Sequence, residues 1–375
     1  MTTASKLKRR EFLQLANKYD PAKTPSGGYN LAGWYVSEKL DGGRCFWDGG
    51  ISRGLNTKDV PWASVIDPKT GELKKKIRPV ATGLWSRYGN PIMAPDWFLN
   101  GLPCVPLDGE LFAGRGQFQT TMSIIRKDNP IDSEWKDIQF AVYSSPPFQA
   151  IFGDGEIKNA NFHCAIQWDS IRVWLALHIG ELPFEDDFKQ VMSGSSFDQE
   201  LHLLNDALST PTNFAYLHPQ TKLPNNNLKA ECEVERLLER VLDVGGEGLI
   251  IRSAEATWFP KRMKHILKYK PHHDAEAVVT GFTSGRKGKE GTLLGKIGAL
   301  VTVYNGKCLE IAGLTHTERE FATREESRYA MAKPGADMPA AFSGKHFKVG
   351  DTVQFKYREL SDSGIPKEAR YFRGT

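Results

Sequence analysis

The sequence predicts an α+β chain in two parts. The larger, over 1–270, reads as antiparallel sheets with helices; the smaller, over 271–375, reads as all-β. Three observations carry this. Short β-branched and aromatic runs recur between Gly and Pro breaks. One segment, LKAECEVERLLERVLDVGG (228–246), is strongly helix-periodic. After Pro271 the pattern turns to short strands separated by Gly-rich turns, which suits a small closed barrel.

In chain order, 8–18 reads as a short helix with Phe12, Leu13 and Ala16 on one side. GWYVSEKL (33–40) is a strand, and DGGR after it a turn. Residues 51–84 hold Pro, Gly and Lys with little periodicity, and read as a long excursion. CVPLDGELF (104–112) and IQFAVYSSP (138–146) are strands. Helices are expected at 185–192 and 197–208, and a strand at NFAYLHPQ (213–220). In the long helix, Val234, Leu237, Leu238, Val241 and Leu242 form an i, i+3, i+4 stripe, and Gly245-Gly246 stops it. EGLIIR (247–252) and ILKYKP (266–271) follow as strands. Beyond the linker at 271–274, AEAVVTGF, GALVTVYN, KCLEIAGL and DTVQFKYREL are strands, with a helical piece near 317–332. That pattern fits a barrel of the OB type.

Composition excludes several classes. No apolar run approaches the roughly 18 residues a membrane span needs, and the basic start lacks the apolar core of a secretory signal. The five cysteines are scattered and never form C-x-x-C, which argues against a disulfide framework or structural zinc and for a reducing compartment. A cytoplasmic location, in a bacterial cell or a phage-infected host, is expected. The net charge of +4 is mild, and most of the excess lies after Pro271. Basic clusters stand at KLKRR (6–10), KKKIR (74–78) and RKGK (286–289), each readable as a solvated face or a phosphate grip.

The stretch SEKLDGGRCF (37–46) places a lysine just before a tight turn, with an aspartate and an arginine close by. A lysine amine, with an ordinary pKa of about 10.4, is protonated at neutral pH and becomes nucleophilic only when cations or desolvation lower that value. One that attacks phosphorus also needs carboxylates for a metal, further cations for phosphates and an aromatic for a base. The chain offers Asp108-Gly109-Glu110, Tyr143, Glu247, and the alternating Lys268 and Lys270. Taken alone, Asp41 and Asp108 read as well as turn formers; for Tyr143 a core aromatic is the lesser alternative. No Walker-type loop, G-x-G-x-x-G or H-E-x-x-H is present.

Six elements in order resemble the covalent nucleotidyltransferases, and most closely the small ATP-dependent DNA ligases of bacteria and phages. They are KLDGGR (39–44), SRYGNPI (86–92), LDGELF (107–112), FAVYSSP (140–146), EGLIIR (247–252) and KYK (268–270), followed by an OB-like tail. A lone KLDGGR would be weak; the series covers nearly the whole chain.

The resemblance implies a nucleotidyltransferase domain over 1–270 and an OB domain over 271–375. Lys39 would form a lysyl-AMP from ATP, with Mg²⁺ or Mn²⁺, and AMP would pass to the 5′-phosphate of nicked duplex DNA before sealing. Arg44 and Arg87 match positions at ribose and phosphates, Glu110 and Glu247 carboxylates at the ribose and metal with Asp41 beside them, and Tyr143 the ring that stacks on adenine. Lys268 and Lys270 match cations on the α-phosphate. Arg53, in ISRGL, imitates the Ser-Arg element, but Arg87 precedes GNPI and is preferred.

The chain departs from the pattern in three places. Ser37 stands where many ligases have an adenine-reading glutamate; Glu38, adjacent to Lys39, stays a nucleotide-binding candidate although strand alternation points it to the other side. Tyr143-Ser144 replaces Phe-Asp. The tail EARYFRGT leaves Arg373 as the candidate for pyrophosphate. Lys74, Lys75 and Lys76, with Arg286, Lys287 and Lys289, are candidate DNA grips, and a monomer with no membrane contact is expected. RNA ligase, mRNA-capping guanylyltransferase and a non-enzymatic OB-type binder are the rival readings.

Overall fold

The structure, a computed structural model, describes residues 13–21, 28–60, 62–67, 70–147, 150–151, 194, 196–209, 212–271, 273–288, 291–358, 360–361 and 363–372. The expectations at 6–10 and 185–192, and those for Phe12, Lys289 and Arg373, fall outside these residues. The chain divides into two compact units, Met1–Tyr269 and Lys270–Thr375.

The first unit holds two five-stranded sheets. One runs β1 (Leu15–Lys18), β10 (Arg262–Tyr269), β9 (Leu249–Arg252), β2 (Tyr35–Glu38), β8 (Thr221–Lys222). The other runs β4 (Leu84–Ser86), β3 (Gly43–Asp48), β5 (Pro106–Phe112), β6 (Gln139–Ser144), β7 (Ala215–Leu217). Pairing is antiparallel except at one edge of each sheet, where β1 lies parallel to β10 and β7 parallel to β6.

The helix expected at 8–18 is corrected by β1. Leu13 is fully buried, and residues 15–18 pair with 262–268. A partner strand almost 250 residues away outweighs a weak local preference.

Helices α1 (Asp96–Asn100), α2 (Phe118–Ile125), α3 (Asp132–Trp135) and α4 (Phe197–Ala207) belong with the second sheet. Its core contains Phe98, Leu107, Trp135 and Phe140, all fully buried. A capping box at Ser196 and Gln199 starts α4. Helix α5 (Asn227–Asp243), capped by the Asn226 side chain, buries Ala230, Val234 and Leu238 against Val36, Ile251 and Leu267 of the first sheet. Each such Val or Leu contributes roughly 1.5–3 kcal/mol. Gly245, at φ +77, ends the helix.

The excursion at 51–84 is fastened rather than loose. Trp62 packs edge-on against Phe46 and Trp85, and buried Asp48 accepts hydrogen bonds from Ser52 and from the Trp85 indole. Its own bridges, Asn56 with Val80 and Ile66 with Leu73, are isolated, so no periodicity announces them.

In the second unit, β11 (His273–Ser284) pairs with both β14 (Ile297–Tyr304) and β16 (Thr352–Tyr357). β15 (Lys307–Ile311) extends β14, and β17 (Arg370–Tyr371) extends β16. A hairpin, β12 (Lys287–Gly288) with β13 (Gly291–Thr292), leaves β11, and α6 (Arg324–Ala332) lies between β15 and β16 in the chain. The two sheet edges meet where Ala312 donates to Ala369 O and accepts from Tyr371 N. That closes the five strands into the expected barrel.

Candidate active site

Lys39 leaves the end of β2. Its backbone N–H continues the ladder onto Gly248 O at 2.8 Å, because β2 and β9 pair with Glu38 opposite Leu249. The same register brings Glu247 to the lysine, and the Lys39 ammonium is ion-paired with the Glu247 carboxylate. The turn after Lys39 needs Gly42, where backbone stands in the way, while at Gly43 the obstacle is a side-chain end that can shift. A Cβ on Gly42 would stand 2.3 Å from Leu111 O, and one on Gly43 would stand 2.3 Å from the Ile125 side chain.

Arg44 lies opposite Glu110 in the β3–β5 ladder. Its guanidinium forks onto Asp108, with Nε to Oδ1 at 2.9 Å and Nη2 to Oδ2 at 2.6 Å, and Nη1 reaches Gln14 O. Burial opposes its charge, but Asp108 holds Arg44 well above the ordinary arginine value. Tyr143, on β6, sets its ring 5.9 Å from that guanidinium. Burial pushes the Glu110 carboxyl up to about 7, against the pull of Lys39 and Arg44.

Two cavities meet at this point. The smaller, about 200 Å³, includes Tyr143, Ile250, Ile266 and Lys268 in its lining. The larger, about 690 Å³, includes Asp41, Arg78, Tyr88 and Asn90. Lys39, Leu40, Arg44, Arg87 and Glu110 face both. The nucleophile candidate therefore stands in the wall common to two chambers. Arg53 is elsewhere, paired with Asp96 and Asn100.

Of the remaining sequence candidates, Glu38 lines the smaller cavity and Lys76 the larger. The Glu38 side chain is held by Arg115 through two hydrogen bonds, at 2.8 and 2.6 Å. Lys270 follows the last residue of β10 and begins the second unit. Lys74 donates to Ser64 Oγ and Asn90 Oδ1, and Lys76 pairs with Asp128, while Lys75 is exposed. Arg286 and Lys287 are exposed on the second unit. No group of three or more His, Cys, Asp or Glu suited to a metal occurs among the described residues.

Sequence reasoning missed a buried cluster behind Tyr143. Glu200, on α4, accepts from Ser144 Oγ and Ser145 N, both at 2.5 Å, and lies 4.0 Å from Arg252. Arg252 in turn donates to Ser144 Oγ at 3.2 Å and lines the smaller cavity. A carboxylate from another element thus backs the strand whose own aspartate is replaced by Ser144. The terminal arginine of EGLIIR was the only local hint.

Burial pushes Glu200 up to about 7 despite Arg252, and the buried Asp48 up to about 6. An unfolded carboxylate ionises near 4 to 4.5, so between there and about 7 the folded chain binds more protons. The stability contributed by these groups therefore falls as pH rises through that window. We expect Glu200→Gln to flatten the decline in nucleotide-free protein by on the order of 3 kcal/mol, as read by urea unfolding from pH about 5 to 8. An equally steep decline in the variant would refute this.

The chain is similar to known proteins along most of its length. A DNA ligase of Haemophilus influenzae is 22% identical over 344 residues, covering 92% of this chain and 87% of that protein. A DNA ligase of African swine fever virus is 28% identical over 227 residues; the match covers 59% of this chain and only 50% of the viral protein. No protein-family model matches. Among solved structures, one described as a Lig E DNA ligase superposes with a TM-score of 0.58 at 25% identity, over 96% of this chain and 98% of that one. The likeness in sequence and in fold runs through both units, and it is a likeness to DNA ligases.

Proposed function

We propose that this chain seals nicks in duplex DNA with ATP, acting as a monomer in the cytoplasm. The observation that carries the reading is Lys39, ion-paired with Glu247 in the wall between the two cavities. The base and ribose sit in the smaller cavity, with Tyr143 on the base and Lys268 toward the α-phosphate. The DNA end approaches through the larger.

Lys39 gives up an ammonium proton to water as cations gather at the phosphates, and its Nζ attacks the α-phosphorus. The N–P bond forms, the bond to the bridging oxygen breaks, and pyrophosphate leaves. A 5′-phosphate oxygen of the nick then displaces Lys39 and takes the AMP. Finally the 3′-hydroxyl attacks the activated phosphorus, the phosphodiester forms and AMP departs. Arg44 stays locked to Asp108 throughout and sets the floor of the site.

Glu110 and Glu247 fit a Mg²⁺ held by one or two carboxylates, phosphate oxygens and water, rather than a cage of protein ligands. When bound, the ion neutralises charge developing on the phosphates.

The test is ATP labelled on the α-phosphate, followed by a chase with unlabelled nicked duplex. Label should appear on the protein, survive denaturation, and leave when nicked DNA is added as sealed product forms. Labelling by GTP alone, or transfer only to nicked RNA, would overturn the assignment. Lys75→Ala should leave self-adenylation intact and lower the salt slope of nick binding by about 1. An unchanged slope would remove 74–78 from the DNA interface.

A further inference from the structure

His218 lies on the three-residue link between β7 and β8, edge strands of the two different sheets. It is 5% exposed. Its backbone N–H donates to Val142 O at 2.7 Å, and its ring Nε2 bonds Glu38 O at 2.8 Å. A carbonyl only accepts, so Nε2 carries the proton. Nδ1 is then a buried acceptor with no protein partner, and burial holds the ring below the ordinary histidine value. A neutral ring with its one N–H on Glu38 O is the form this site supports.

Glu38 is the residue before Lys39, and Val142 the residue before Tyr143. One side chain and its own backbone therefore tie the peptide leading to the nucleophile to the strand carrying the base-stacking ring, across the gap between two sheets. On the other side, Lys39 N is fixed to Gly248 O. We infer that His218 is a positioning residue for lysine adenylation: its Nε2–H sets the Lys39 backbone relative to the nucleotide, without touching substrate. The inference rests on the proposed ligase reading.

The consequence is step-selective. Attack on the α-phosphorus depends on where Lys39 Nζ stands, and a misplacement of about 1 Å costs on the order of 100-fold. Sealing of a nick that already carries AMP makes and breaks no bond to Lys39. His218→Phe, which fills the space without an N–H, should therefore slow self-adenylation at saturating ATP by on the order of 10- to 100-fold. It should leave KM for ATP and the sealing of pre-adenylated nicked DNA within about threefold of the parent. His218→Gln, whose amide N–H can replace Nε2–H, should recover most of the loss. If the Phe variant does not fold, His218→Asn, with an amide too short to reach Glu38 O, takes its place.

Adenylation at the parent rate in the Phe or Asn variant would overturn the inference. So would a proportional loss in both assays, which marks a merely structural role, or a rise in KM at unchanged rate. Failure of the parent chain to take label would overturn the ligase reading and this inference together, and is seen before any variant is compared.

Discussion

Lys39→Arg is expected to bind ATP almost as the parent does and to form no covalent adenylate. An arginine keeps the positive charge beside Glu247, so the ion pair in the cavity wall survives. A guanidinium does not deprotonate in proteins, so it offers no lone pair to phosphorus. The loss in self-adenylation should be on the order of 10⁴-fold or more, as for other deleted nucleophiles. Gel labelling measures the first quantity and equilibrium binding of ATP the second. A labelled band from the arginine variant would mean that another residue carries the AMP.

Asp108→Ala should cost about 3–5 kcal/mol of stability in the first unit, because it leaves the Arg44 guanidinium in the site without its counter-charge. Asp108 is 1% exposed, receives both arms of Arg44, and takes a long contact from the Trp258 indole at 3.5 Å. The contrast is Asp96→Ala. Asp96 is 87% exposed and paired with Arg53 on the surface, where removal should cost at most about 1 kcal/mol. Urea unfolding of the full chain reads both. Equal losses would show that the Arg44–Asp108 fork is no more than a surface pair.

The sequence reads well where a local pattern suffices. The α5 stripe, the strands at 104–112 and 247–252, and the turn glycines after Lys39 all follow from spacing or from residues with a single backbone use. The barrel was legible from strand count, although its closure at Ala312 depends on residues almost 60 positions apart. Where the reading fell short, the decisive partner lay far away in sequence. β1 is a strand because of β10. Lys74 turns toward Ser64 and Asn90, although its run of lysines looks like an exposed grip. Glu38 had been placed by strand alternation, but its holder, Arg115, sits in AGRGQF, 77 residues on. His218 and Glu200 carry no motif. Glu200 is held by two buried hydrogen bonds and the His218 ring by one, to partners that no spacing rule connects to them.

The pairing of β1 with β10 also bears on how the protein is made. Gln14, with Leu15 and Ala16 of the first described strand, lines the smaller cavity together with Lys268 from the last strand of the unit. During synthesis the first of these leaves the ribosome long before the second exists. A nascent chain stopped short of residue 262 has the Lys39 turn, the β3–β5–β6 ladder and the α5 helix, yet lacks one wall of the smaller cavity and the partner for β1. Long-range closure of this kind is slow relative to local helix and hairpin formation. The completed cavity therefore arrives late, as a sign that the whole first unit has been assembled, and under the proposed function nucleotide binding arrives with it.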